Sequence, residues 1–221
     1  FNQAGKTVKW GQYLRAPEVY FEILKKCKDK LIPMNKIADV RFGGKTGINE
    51  FFYLDEEKIK HWKIEKEFLK PIVSSPKEIE NIFINPKKVE FKAFVCSKTK
   101  KELKSTKQLG ALNYIEWGEK QQTKEKGGHK KGGVLFPDVP SVKGRTLWYN
   151  LGKDIIGDFA INRFIGERFF FPINDSRVLI GDIAFVGDLK NQKDINIFSA
   201  IINSTISYIF VEVYGRTGLG E

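Results

Sequence analysis

Lys45, Thr46 and Asn49 follow Gly43-Gly44 and are divided by Gly47, with Arg41 just upstream. An ammonium, a hydroxyl and a carboxamide set among glycines can hydrogen-bond a polar partner. Glycine lets the backbone take positive φ or approach a neighbour closely. The chemistry these types suit is recognition rather than bond making. Two apolar runs must hold the group in place: Ile37-Ala38-Asp39-Val40 on entry and Phe51-Phe52-Tyr53-Leu54 on exit. Both have strand-like composition, and the stretch RFGGKTGINEFFYL reads as a recognition loop between two structural elements. An ordinary glycine turn is the plain alternative.

Residues with catalytic potential are few. His61 sits beside Trp62 in a charged stretch, and His129 lies among glycines and lysines. Neither has a Cys or His partner at metal-ligand spacing. There is no P-loop and no GxSxG elbow. The run Gly215 to Gly220, GRTGLG, follows a predicted helix rather than a strand, which excludes a dinucleotide loop. Pro137-Asp138 has no Glu-x-Lys pair after it to complete a metal-dependent nuclease site, and Glu56-Glu57 reads as a solvated face. No catalytic, cofactor-binding or metal-binding residue is assigned.

The charge balance points to a polyanion. The chain has 221 residues, with 38 Lys and Arg against 27 Asp and Glu, a net charge of +11. That excess suits nucleic acid. It also suits a lysine-rich proteome in which many proteins are basic. Residues 119–144 concentrate the excess: Lys120, Lys124, Lys126, Lys130, Lys131 and Lys143 alternate with Gly127, Gly128, Gly132, Gly133 and Gly144. Only Val134, Leu135 and Phe136 could anchor this stretch, which reads as a long, mobile, basic loop. Cys27 and Cys96 are isolated thiols, so a reducing, cytoplasmic setting is expected. No apolar run reaches the length of a membrane span. Phe1 in place of Met, and an end inside a glycine-rich turn, suggest a piece of a longer protein.

The elements around these residues read as α+β, with a mixed or mostly antiparallel sheet and helices near both ends. A helix is predicted over 16–30, with Pro17 in its first turn and Val19, Tyr20, Ile23, Leu24 and Cys27 on one face. Strands are predicted at Leu69 to Val73 and at Val89 to Cys96, the latter alternating apolar and polar residues. Residues 55–68 suggest a short helix, Ser75-Pro76-Lys77-Glu78 a helix start, and 99–118 a helix. Short strand-like runs follow at Thr146 to Tyr149, Phe159 to Ile165, Phe169 to Ile173, Arg177 to Ile180 and Ile183 to Val186. A last helix is expected over 194–213, capped by Asp194. Trp148, Tyr149 and Phe169-Phe170-Phe171 read as core aromatics rather than stacking residues.

Taken in order, certain residues carry a family resemblance. They are Lys9-Trp10, Tyr13-Leu14-Arg15-Ala16-Pro17, RFGGKTGINEFFYL, Leu69-Lys70-Pro71, Tyr114-Ile115-Glu116-Trp117-Gly118-Glu119, Arg145-Thr146-Leu147-Trp148-Tyr149, Ile201-Ile202-Asn203-Ser204 and Tyr214-Gly215-Arg216. The ordered set resembles the target-recognition region of adenine-N6 DNA methyltransferases, in particular the TaqI-like C-terminal specificity domain of type IIG and related restriction–modification enzymes. It spans essentially the whole chain. Each motif is weak alone; the order is the specific part. The resemblance implies a catalytic domain N-terminal to this chain, holding S-adenosylmethionine and an Asn/Asp-Pro-Pro-Tyr/Phe motif that does not occur here. Residues 1–15 would then be a connecting segment and 16–221 the recognition domain. The implied partners are double-stranded DNA and that methyltransferase domain, which flips the target base.

On this reading Arg41, Lys45, Thr46 and Asn49 lie near DNA, Lys124, Lys126, Lys130 and Lys131 order over the duplex, and Arg145 and Arg216 contact phosphate or guanine. The other class of reading is a protein-interaction or scaffold domain with incidental positive charge. A DNA binder gathers its Lys and Arg on one face, whereas a scaffold scatters them.

Overall fold

The computed structural model describes residues 14–124, 132–152, 155–163 and 169–215. In chain order the helices and strands are α1 (Glu18–Cys27), α2 (Met34–Ile37), β1 (Ala38–Phe42), α3 (Asn49–Phe52), β2 (Tyr53–Leu54), α4 (Glu56–Trp62), β3 (Leu69–Val73), β4 (Phe91–Phe94), α5 (Lys100–Ser105), α6 (Leu109–Gly118), α7 (Pro140–Lys143), β5 (Phe159–Asn162), β6 (Leu179–Ile180), β7 (Ala184–Leu189), α8 (Ile195–Ile202) and α9 (Thr205–Tyr214). The fold is α+β, with one antiparallel and one mixed sheet.

One sheet has the order β1-β7-β5 and is antiparallel throughout. Its register sets Ala38 opposite Leu189 and Phe42 opposite Phe185. The other has the order β2-β4-β3-β6, antiparallel except for the parallel β3–β6 pair. Between the sheets lies a cluster that includes Val73, Ile79, Val178, Ile180, Ala184 and Val186. The largest cluster covers the second sheet with α3, α5 and α6, and is dense in rings. There Phe51 stacks on Tyr114 at 4.7 Å between centroids and meets Trp148 at 4.5 Å. A third cluster packs Phe198 of α8 against Phe159 and Leu189 of the first sheet. Each such aromatic removes a large apolar area from water, the main favourable term in folding.

The two ends of the described chain meet. Tyr20 of α1 and Tyr214 of α9 share a hydrogen bond of 2.9 Å, and the Tyr20 ring lies edge-on to Phe210. Arg15 donates to the Val213 and Gly215 carbonyls at 3.3 and 3.0 Å, satisfying acceptors that a helix C-terminus leaves open.

Several elements depart from the sequence expectation. The expected strand at Phe51 to Leu54 is a helical turn, α3, running into a two-residue strand. The run 99–118 is two helices, because Lys107 adopts a left-handed φ of 57° between them. Thr146 to Tyr149 is irregular, with Trp148 and Tyr149 buried as core aromatics and the Tyr149 hydroxyl donating to the Lys98 carbonyl at 2.9 Å. Ser75 and Glu78 form a capping box on a single 3-10 turn rather than a longer helix. The last helix is broken into α8 and α9, bent by 62°. Ser204 is extended and caps α9 by accepting from the Ser207 N–H, while the Asn203 amide bonds both backbone groups of Phe171. Asp194 does not cap α8 with its side chain. Among the described residues no single helix is long and apolar enough to cross a membrane.

Candidate nucleic-acid interface

The glycine loop begins where the two sheets join. The Gly43 N–H donates to the Ala184 carbonyl at 2.9 Å, and the Gly44 N–H to the Ile180 carbonyl at 2.7 Å. A Cβ on Gly43 would stand 2.2 Å from the Gly181 carbonyl oxygen, inside any real contact. The close approach that this glycine permits is therefore to the chain's own backbone, which carries β1 across to β6. Gly47 has a φ of 81°, a conformation glycine adopts without penalty. A Cβ there would lie 2.1 Å from the Ser141 hydroxyl, so Gly47 is where the loop touches α7.

Three contacts fix the loop. Thr46 is buried and its hydroxyl donates to the Asn49 side-chain oxygen. Asn49 opens α3, which Phe51 and Phe52 anchor in the core, and the Tyr114 hydroxyl donates to the Phe51 carbonyl at 2.6 Å. Arg145, which follows α7, donates to the Lys45 carbonyl at 3.0 Å, the Thr46 carbonyl at 3.1 Å and the Asn150 carbonyl at 3.2 Å. Its guanidinium lies 5.6 Å from the centre of the Phe52 ring, and desolvation by burial lowers its pKa from the ordinary arginine value. Lys45 and Asn49 remain exposed on the outside of this frame.

The described residues of the basic segment form a short ladder. Gln121 to Thr123 pair back onto Val134 to Phe136, with the Thr123 N–H donating to Val134 at 2.8 Å and the Phe136 N–H to Gln121 at 3.0 Å. Phe136 and Val142 are buried, so the returning limb is bolted to the aromatic core. Of the expected anchors Val134, Leu135 and Phe136, only Phe136 is buried, Leu135 being exposed; Val142 is a further anchor, sitting in α7 between Ser141 and Lys143. Lys143 pairs with Asp138 at 3.4 Å, and Lys124 is exposed at the outer end of the ladder.

Apart from Lys124 on the ladder, the sequence-predicted residues thus fall into three sets. Lys45, Thr46, Asn49 and Arg145 come together, and the returning limb of the basic segment lies against them through Ser141. Arg41 belongs elsewhere: its guanidinium pairs with Asp188 and donates to the Ile156 carbonyl at 2.7 Å, which ties β1 to β7. Lys126, Lys130, Lys131 and Arg216 lie outside the described residues. Arg145 was expected to face a ligand, and its donors instead hold the protein's own carbonyls. Reading the sequence did not reveal Ser141 or the clamp, because neither contact has a local signal. Among the described residues no group of three or more His, Cys, Asp or Glu could hold a metal ion.

The crystal structure of the type IIG restriction endonuclease BpuSI has a similar fold, with a TM-score of 0.58 at 13% identity. The match covers 93% of this chain and 23% of that one, so this chain spans less than a quarter of the length of the enzyme it matches. No curated protein matches the sequence. Residues 7–220 match the family described as type II methyltransferase M.Eco57I, C-terminal domain, and the chain belongs to that family.

Proposed function

We propose that this chain is a sequence-specific duplex-DNA recognition module of a restriction–modification adenine methyltransferase, acting in the cytoplasm and non-catalytic by itself. Methyl transfer from S-adenosylmethionine is assigned to a catalytic domain elsewhere in the parent chain, which this module would serve by placing the target adenine. The observation that carries the reading is the Arg145 clamp. It brings the glycine loop and the returning limb of the basic segment, 100 residues apart in sequence, onto one surface. An exposed lysine and an exposed carboxamide on one braced loop suit groove recognition, with a cation to contact phosphate and a polar side chain to reach base edges, and the lysines of the basic segment are proposed to add to that charge. Lys45, Asn49 and Lys124 are the described residues assigned to that surface, with Lys126, Lys130, Lys131 and Arg216 as further cationic candidates. Arg41 and Arg145 act by holding the frame.

A photoreactive amino acid at position 45 of the full-length parent tests this. Irradiation with a duplex carrying the recognised site should cross-link protein to DNA, with a scrambled duplex giving far less. Equal cross-linking to both duplexes, or none to either, would overturn the assignment.

A further inference from the structure

Asn49 is held as a base-reading group would be. It opens α3, a single turn anchored by two fully buried phenylalanines, so its backbone has little freedom. Its side-chain oxygen accepts the Thr46 hydroxyl, and Thr46 is itself buried. A carboxamide normally turns over freely between two states that differ in which end donates. The Thr46 bond fixes one state: the oxygen faces the loop and keeps one lone pair, and the Nδ2 group keeps its two donors. Among the described residues no partner takes those donors, and Asn49 is exposed. Arg145 keeps Thr46 in place by holding its carbonyl.

Resting on the DNA-recognition reading, we infer that Asn49 is a specificity-determining residue that reads an adenine in the major groove. Nδ2 donates to N7, and the free lone pair of Oδ1 accepts from the N6 amino group. Thr46 is the positioning residue that sets which way the amide presents. Preorganisation of this kind limits the rotamer entropy lost on binding, so more of the contact's energy is realised in the specific complex.

The test selects bound duplexes from a library with a randomised core, using the full-length parent chain and its Asn49→Ala, Thr46→Val and Thr46→Ser variants. Thermal melting checks that each variant is folded. Wild type should enrich a defined motif. Asn49→Ala should enrich the same motif with one A·T position made degenerate, losing about tenfold in preference there. Thr46→Val should blunt the same position, and Thr46→Ser, which restores the hydroxyl, should recover it. If Asn49→Ala lowers binding equally for all sequences, or leaves every position unchanged, the base-reading role is wrong while the DNA reading survives. Degeneracy at a G·C position overturns the adenine assignment. A wild-type chain that enriches no motif overturns the DNA reading itself.

Discussion

The Arg145 guanidinium reaches back 100 residues to donate to the Lys45 carbonyl. Together with its bonds to Thr46 and Asn150, this makes one half-buried cation the fastener of two backbone segments through three carbonyls. Lys45 is exposed because its own carbonyl is held from behind. An arginine suits the place: its planar fork can serve several carbonyls at once, and it stays charged where lysine would lose its proton more readily.

Arg145→Ala should therefore destabilise the fold by about 2 kcal/mol, since hydrogen bonds from a charged donor contribute about 1.5–3 kcal/mol and three carbonyls are left without it. Arg145→Lys should recover less than half, because an ammonium cannot span the same acceptors. Urea unfolding of the three proteins measures both effects. A loss below about 0.5 kcal/mol for the alanine variant would mean that the clamp is idle.

Glycine substitutions separate joint from loop. Gly43→Ala drives a Cβ to 2.2 Å from the Gly181 carbonyl oxygen, so backbone must move, and a cost of roughly 3 kcal/mol is expected. Gly47→Ala meets the Ser141 hydroxyl, which can turn away, and leaves mainly the penalty of a φ of 81°, about 1–2 kcal/mol. The order Gly43 above Gly47 in thermal melts is the checkable outcome; the reverse order would contradict the two-sheet joint at Gly43.

Core tyrosines make the fold sensitive to alkali. Burial raises the Tyr149 and Tyr53 hydroxyls to about 12 and the Tyr114 hydroxyl higher still. A folded-state pKa raised above the unfolded value of about 10 means that the native state binds these protons more tightly. The stability they contribute is fully present below pH 10 and is lost as pH rises from about 10 to 12. Tyr149→Phe should flatten that decline. An unchanged pH profile in the variant would show that another group sets it.

Burial also pushes the Cys96 thiol up, and Cys96 is almost wholly enclosed. The thiolate is the reactive form, so Cys96 should resist alkylation in the native protein and half-buried Cys27 should react first. Peptide mapping after a short treatment with iodoacetamide reads the order directly. Early modification of Cys96 would place it outside the core.

What could be read from the sequence divides along a physical line. Local signals worked: Pro17 before α1, the apolar run that becomes β1, Ser75 as an N-cap, and the aromatic composition of Trp148 and Tyr149 all depend on neighbours in sequence. Long-range commitments did not. Nothing near Arg41 announces Asp188, and nothing near Arg145 announces the Lys45 carbonyl; both arginines looked available because their partners are distant. The break between α8 and α9 was hidden for the same reason, since Asn203 is drawn off by the backbone of Phe171. The glycine loop stood out for its composition, yet Gly43 serves the meeting of two sheets rather than an incoming ligand.

The central claim is that the surface carrying Lys45 and Asn49 reads duplex DNA. The most direct measurement is the affinity of the full-length parent for specific and scrambled duplexes across a salt series, with Lys45→Ala and Asn49→Ala alongside. Wild type should prefer its site and lose affinity steeply with salt. Lys45→Ala should weaken binding to both duplexes and shrink the log–log salt slope by about one. Asn49→Ala should weaken only the specific complex, by about 1–3 kcal/mol. If both variants bind like wild type, in affinity, slope and preference, this surface does not read DNA.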